Sequence, residues 1–214
     1  SQYEPGTEAA RVRALLAHRV AGVIIVPSFD PTEALAATQA AGVPAVIVDR
    51  PFVAGRFDQV TFDNAAAMAE ATEALLARGH RRIAYIARRP QLIVTRQRIE
   101  AFRKAMASVP ESEAIVRESG DDEAAYIAAV AALVAGPDAP TALIASNSLI
   151  ALWTVRAFRR HGIAFPDDVS LLAFDEPDWA DIVEPRLSVV RHPVREIART
   201  AWRILIDRIG GASG

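Results

Sequence analysis

The chain has 214 residues, of which 51% are hydrophobic, and this is enough to bury a sizeable core in one large domain or two small ones. Its formal net charge of −2 excludes the broad positive field that DNA-binding domains usually carry. The absence of cysteine excludes disulfides and a thiolate zinc site, and no apolar stretch approaches the roughly 18 residues of a membrane span.

Short apolar runs alternate with longer alanine-rich amphipathic runs along the chain. The first residues, "SQYEPGTEAARVRALLAHR", predict a polar turn and a helix rather than a signal peptide. Strands are predicted at 21–28, 43–50, 59–64, 81–87, 113–118, 140–147, 168–175 and 186–192. Helices are predicted at 31–42, 64–79, 95–107, 121–136, 148–162 and 194–210. This alternation predicts an α/β fold of βαβ units, with parallel sheets covered on both faces.

Polar residues follow several predicted strands, at the carboxyl ends where open parallel sheets bind ligands. They are Ser28 with Asp30, Asp49, Asp63 with Asn64, Ser146 with Asn147, and Asp175. Such residues also cap helices, and we favour capping for Asp63 and Asn64. Asn147 stays open between a cap and a ligand contact, and Asp49 between a turn and a ligand contact. In "SLLAFDEPDW" Pro177 stops the strand, so we expect Asp175 to face a polar ligand.

Arginines form a second candidate feature. Arg96 and Arg98 are expected in the first turn of helix 95–107, where free backbone N–H groups can also meet an anion. Arg88 and Arg89 follow strand 81–87 and would make the local field positive. The alternative is a solvated basic helix face.

Motifs for catalysis, cofactors and metals are missing. The sequence has no G-x-G-x-x-G, no P-loop lysine motif and no G-x-S-x-G. The four histidines, His18, His80, His161 and His192, are far apart and lack metal-ligand spacing. We therefore expect no enzyme, no metal site and no cofactor.

Several stretches together resemble the effector-binding domain of the LacI family of bacterial transcription regulators and the related periplasmic sugar-binding proteins. The most specific are "GHRRIAYI" and "PDDVSLLAFD", and "AGVIIVPS", "VPAVIVDRPF", "TRQRIEAFRKAM" and "PTALIASN" match in order and spacing. The resemblance covers nearly the whole chain. It implies two Rossmann-like, doubly wound parallel-sheet subdomains of the periplasmic-binding-protein type. They would comprise residues 1–60 plus 192–214, and residues 61–191.

The resemblance also implies a ligand site, carried over position by position. The implied residues are Asp49, Phe62, Arg98, Asp122, Asn147, Asp175 and His192. Arg98 would donate a fork of hydrogen bonds, Asp49 and Asp175 would accept from ligand hydroxyls, Asn147 would do both, and Phe62 would stack on an apolar ligand face. The chain departs from the family where Ala67, Ala101 and Ala173 replace glycines and Ser148 replaces an acid.

The implied function is that of the effector-binding and dimerisation domain of a cytoplasmic transcriptional regulator. A sugar, sugar acid or similar small polar ligand would bind between the subdomains of a homodimer and control operator DNA binding through a headpiece outside this chain, with no membrane partner. The family has a strand–helix–strand unit before "AGVIIVPS" and closing strands after the last helix. We therefore expect a chain truncated at both ends, with an exposed sheet edge. The alternatives are a periplasmic sugar-binding protein of an ABC transporter and a doubly wound sugar-handling enzyme.

Overall fold

The structure is a computed structural model that describes residues 4–52 and 57–211. In chain order its elements are α1 Pro5–Ala17, β1 Val23–Ile25, α2 Thr32–Ala40, β2 Ala45–Asp49, β3 Asp58–Thr61, α3 Asn64–Ala77, β4 Arg82–Ala87, α4 Ile93–Ala107, β5 Glu113–Glu118, α5 Glu123–Ala135, β6 Ala142–Ala145, α6 Ser148–His161, β7 Ser170–Phe174, β8 Ser188–Val190 and α7 Val194–Ile209. The alternation predicted from the sequence is confirmed, with strands generally shorter than expected.

The chain divides into two compact units. The first comprises Ser1–Phe62 with Pro193–Gly214, and the second comprises Asp63–His192. The boundaries expected from the sequence, after residues 60 and 191, lie within two residues of these. The predicted α/β class with two parallel-sheet units is confirmed.

The first unit contains a parallel sheet in the order β1-β2-β3. Alternate residues of β2 face opposite sides of this sheet. Ala45 and Ile47 pack with residues of α1 and α2, whereas Val46 and Val48 pack with Ala201 and Leu205 of α7. The sheet is therefore covered by helices on both faces, which explains why β2 is an uninterrupted apolar run.

Strand β1 is at the edge of this sheet as far as the described residues extend. It pairs with β2, and no other described strand pairs with it. The exposed sheet edge expected from the sequence is therefore observed within residues 4–52 and 57–211.

The second unit contains a five-stranded parallel sheet in the order β5-β4-β6-β7-β8. Helices α5 and α6 cover one face and α3 and α4 the other, so β4 and β6 are buried on both sides. The strand order reverses between β4 and β6, which makes their carboxyl ends the topological switch point of the sheet. No helix in the described part of the chain is both long and apolar enough to cross a membrane.

Candidate ligand-binding site

Ser146 joins three elements at the switch point of the second unit. It follows β6 directly and is 4% exposed. Its backbone N–H donates to the carbonyl oxygen of Ile86 on β4 at 3.2 Å, and its hydroxyl oxygen accepts from the backbone N–H of Arg88 at 3.1 Å. Its own carbonyl oxygen accepts from Nη1 of Arg98 at 2.9 Å. The carboxyl ends of β4 and β6 and the side chain of Arg98 therefore meet at one buried residue.

Arg98 is held by three uncharged groups. In addition to the bond with Ser146, its Nε donates to Oδ1 of Asn64 at 2.7 Å, and its Cζ lies 4.0 Å from the ring centroid of Phe174. Asn64 is 2% exposed and Phe174 is 1% exposed. Because hydrogen bonds to neutral oxygens and a ring contact fix the guanidinium without neutralising it, its charge remains available to a ligand.

The position of Arg98 in its helix differs from the sequence-based expectation. Helix α4 begins at Ile93, after Leu92 in an extended conformation, so Arg98 lies in the second turn and not in the first. The free backbone N–H groups of the first turn are thus not beside it. Its placement comes from its side-chain partners, so a solvated basic face is the wrong interpretation for Arg98, although Arg96 is exposed.

Tyr85 lies in the core next to Arg98. Its side chain is fully buried, and this burial raises the pKa of Tyr85 to about 12, against the opposing effect of the Arg98 guanidinium. The charge of Asp175 also raises the pKa of Tyr85, so Asp175 lies near the same group. The Tyr85 hydroxyl faces Arg98 without a hydrogen bond of regular geometry in the described structure. Tyr85 is therefore neutral and contributes an uncharged wall beside Arg98.

Asp175 directly follows β7 in a left-handed backbone conformation, with φ of 68°. Its backbone N–H still donates to the carbonyl oxygen of Val190 on β8 at 3.1 Å. Asp49 has φ of 70° at the end of β2 in the first unit, where its Oδ2 lies 3.6 Å from Nε of Arg50. Among residues other than glycine, Asp and Asn tolerate this conformation best. Both aspartates are half-buried, and their ligand contacts remain predictions.

Three polar residues cap helices of the second unit. Asp63 accepts from the backbone N–H of Ala66 at 2.9 Å, which bears out its predicted capping role. Oδ1 of Asn147 accepts from the N–H of Ile150 at 3.0 Å, so the NH₂ group of the Asn147 side chain is the part left for a ligand. Asp122 is exposed and accepts from the N–H of Ala125 at 2.6 Å. A ligand role for Asn147 or Asp122 stays a prediction beside the capping role that each performs.

Two predicted residues lie at the ends of the units. Phe62 follows β3 in the first unit and His192 ends the second unit after β8, and both are half-buried. Their ligand contacts stay predictions. In the second unit the structure brings together Arg98, Asp175 and Ser146, which directly precedes Asn147.

Sequence reasoning missed the residues that hold Arg98. Asn64 was assigned to capping because it begins a helix, but Asp63 provides the cap and Asn64 binds Arg98. Tyr85 and Phe174 belong to the buried cluster beneath α3 and α4, and strand alternation could have placed them on one face. No cluster of three His, Cys, Asp or Glu side chains that could hold a metal ion occurs in residues 4–52 and 57–211.

Comparison with known proteins gives the same fold and class. The family model described as a periplasmic binding protein-like domain matches residues 72–214. An opine utilization operon repressor of Rhizobium rhizogenes is 36% identical over 158 residues, covering 70% of this chain and 80% of the relative. The transcriptional regulator DegA of Bacillus subtilis is 31% identical, covering 95% of this chain and 63% of the relative. The solved complex of the transcriptional regulator CelR with cellobiose is 27% identical with a TM-score of 0.83, covering 97% of this chain and 64% of that chain.

These matches define the class to which the chain belongs. It is a member of the periplasmic-binding-protein-like family, and specifically an effector-binding domain of the LacI type. The chain spans about 60% of the length of several regulators that it resembles.

Proposed function

We propose that this chain binds a small polar effector, a sugar or sugar derivative, at the carboxyl edge of the five-stranded sheet. The observation that carries the proposal is the arrangement of Arg98, whose Nε and Nη1 are held by Asn64 and Ser146 and whose guanidinium lies over Phe174. A guanidinium fixed in this way has its orientation set before the ligand arrives, so little conformational entropy is lost on binding.

The remaining predicted residues fit this chemistry. Asp175 would accept hydrogen bonds from ligand hydroxyls, and the amide group of Asn147 would donate because its oxygen caps α6. Asp122 and His192 would add further polar contacts in the second unit, and the ligand contacts of Asp49 and Phe62 in the first unit stay predictions. The name of the CelR complex, a relative 27% identical to this chain, supports a sugar as the ligand class.

In the whole protein, effector binding would control the binding of operator DNA by a headpiece outside this chain, in a cytoplasmic homodimer. Two relatives more than 30% identical are a repressor and a transcriptional regulator, which supports this role. A ligand can act in this way only if its affinities for the DNA-binding and released states differ. The alternative of a periplasmic sugar-binding protein would be favoured by a signal peptide on the full gene and excluded by an upstream helix-turn-helix.

The proposal is tested by a thermal-shift screen of the full-length protein against monosaccharides, disaccharides, sugar acids, sugar phosphates and nucleobases. A ligand present at 100 times its dissociation constant stabilises the folded state by about 2.7 kcal/mol, which raises Tm by several degrees. We expect hits within one carbohydrate class. A folded, cooperative protein that responds to none of the carbohydrates would contradict the proposal.

A further inference from the structure

Arg88 is a mostly buried arginine that the site described above does not use through its side chain. It follows β4 directly, and only 17% of its side chain is exposed. Its Nη2 donates to Oδ1 of Asp121 at 3.0 Å, while its Nε is buried without a hydrogen-bond partner among the described residues. A guanidinium carries five N–H donors, and leaving charged donors unmet in a buried position is costly. The guanidinium of Arg88 therefore keeps N–H donors that could bind an additional acceptor.

Arg88 adjoins the residue that anchors Arg98 and faces a solvated acid. Its backbone N–H donates to the hydroxyl of Ser146, whose carbonyl oxygen accepts from Arg98, so the main chain of Arg88 lies at the same carboxyl edge of the sheet as the anchor of Arg98. Asp121 is the acid that faces Arg88, and the same oxygen also lies 3.5 Å from Nη2 of Arg89. The side chain of Asp121 is 67% exposed, and exposed ion pairs of this kind contribute little. This solvated carboxylate therefore does little to satisfy Arg88, whose Nε has no hydrogen-bond partner among the described residues.

We propose that Arg88 recognises an oxyanion, a carboxylate or phosphate, carried by the effector. This inference rests on the proposed function and narrows the ligand to acidic derivatives of the sugar class. Arg98 would hold the hydroxyl-bearing part of the ligand, and Arg88 would bind the anionic group next to it. Charge-assisted hydrogen bonds between guanidinium and carboxylate or phosphate are stronger than those between neutral groups, so this contact would select acidic ligands over neutral ones.

The test uses the full-length protein and matched probes. The probes are D-glucose, D-glucuronate and D-glucose 6-phosphate, D-galactose and D-galacturonate, and D-ribose and D-ribose 5-phosphate, each titrated by calorimetry at fixed ionic strength. The variant is Arg88→Gln, which removes the charge while the backbone bond to Ser146 can persist. The control is Arg103→Gln, an exposed arginine on the same helix as Arg98. Unchanged circular dichroism and Tm without ligand establish that each variant is folded.

We expect at least one acidic probe to bind about tenfold or more tightly than its neutral counterpart. This preference should fall at least about tenfold in Arg88→Gln and stay unchanged in Arg103→Gln, in line with the loss of a charged hydrogen bond. Preference for a uronate or for a phosphate ester identifies which oxyanion is bound. Neutral sugars that bind as tightly as their acidic counterparts, with binding lost in Arg98→Ala, would overturn the role of Arg88 and leave the proposed function standing. A panel without any binding would count against both.

Discussion

The guanidinium of Arg98 lies over the ring of Phe174, with 4.0 Å between Cζ and the ring centroid. Arg98 comes from α4 and Phe174 from the end of β7, so the contact ties a helix to the carboxyl edge of the sheet. Asn64 at the start of α3 and Ser146 directly after β6 complete the restraint. Three residues, from α3, from the end of β7 and from the position after β6, thus fix one cation of α4 at the place where ligands bind open α/β sheets.

Replacing Phe174 by leucine should affect both stability and ligand binding. The loss of the cation–π contact removes about 0.5–2 kcal/mol and lets the guanidinium move. If this free energy is lost from binding, the effector affinity measured by calorimetry should fall about two- to thirtyfold. The matched control is Phe102→Leu, because Phe102 belongs to the same buried cluster and contacts Tyr85, with ring centroids 6.0 Å apart. Equal losses of affinity in both variants would show that the effect is general loosening of the core.

Asn64→Ala should separate the positioning of Arg98 from the stability of α3. The substitution removes the acceptor of a charged, buried hydrogen bond, so we expect urea unfolding to show a loss of about 1–3 kcal/mol and effector affinity to drop. Asp63→Ala removes the cap of the same helix and should cost about 0.5–2 kcal/mol of stability, with affinity unchanged. A loss of affinity in Asp63→Ala as large as that in Asn64→Ala would argue against a positioning role.

The left-handed backbone of Asp175 predicts which replacements the strand end tolerates. Asn adopts a φ near 68° readily, whereas a β-branched residue there is strained by roughly 1–2 kcal/mol. Urea unfolding should therefore show Asp175→Val less stable than Asp175→Asn by about that amount. If the carboxylate accepts ligand hydroxyls, Asp175→Asn should still weaken effector binding. Equal stability of the two variants would contradict the strain argument.

Glu8 predicts a pH dependence of stability in the first unit. It is 4% exposed, its Oε2 accepts from the backbone N–H of Ser28, and its Oε1 has no hydrogen-bond partner in the described structure. Burial raises the pKa of Glu8 above its usual 4.5, against the opposing hydrogen bond from Ser28. Because the folded-state pKa is the higher one, the protonated form favours folding, and this contribution is lost as pH rises above 4.5.

The variant that tests this is Glu8→Gln, which keeps an acceptor for Ser28 without the charge. We expect it to match the wild type near pH 4 and to be more stable near pH 7.5, by up to about 1–3 kcal/mol. Urea unfolding of both proteins across this pH range gives the difference. A difference that does not change with pH would show that Glu8 is not the titrating group.

The sequence predicted the fold well because its signals are local and repeated. Apolar runs such as "ALIA" in β6 alternate with alanine-rich helices, and this pattern alone indicates parallel sheets. Strand order is set by long-range packing, so the switch point between β4 and β6 could not be predicted from periodicity. The start of α4 was missed by two residues because Leu92 precedes it without a side-chain cap, which leaves no start signal in the sequence.

The candidate site was predicted in part. Arg98, Asn147 and Asp175 were identified by the family resemblance, and Asp175 and Asn147 also by their positions after strands. The roles of Asn64 and Phe174 depend on where α3 and β7 meet Arg98 in space, and adjacent residues in the chain give no sign of this. The sequences around Asp49 and Asp175 likewise gave no indication of their left-handed φ angles.

The most direct test of the account is a calorimetric titration of the full-length protein with the ligand that gives the largest thermal shift. Wild type is compared with Arg98→Ala, Arg98→Lys and the exposed control Arg103→Ala. We expect Arg98→Ala to lose about 2 kcal/mol or more of binding free energy, because a charged hydrogen bond at a buried edge is removed. Arg98→Lys should bind weakly as well, since lysine lacks the planar fork, and Arg103→Ala should bind like the wild type. Unchanged affinity in folded Arg98→Ala would contradict the claim that Arg98 anchors the effector.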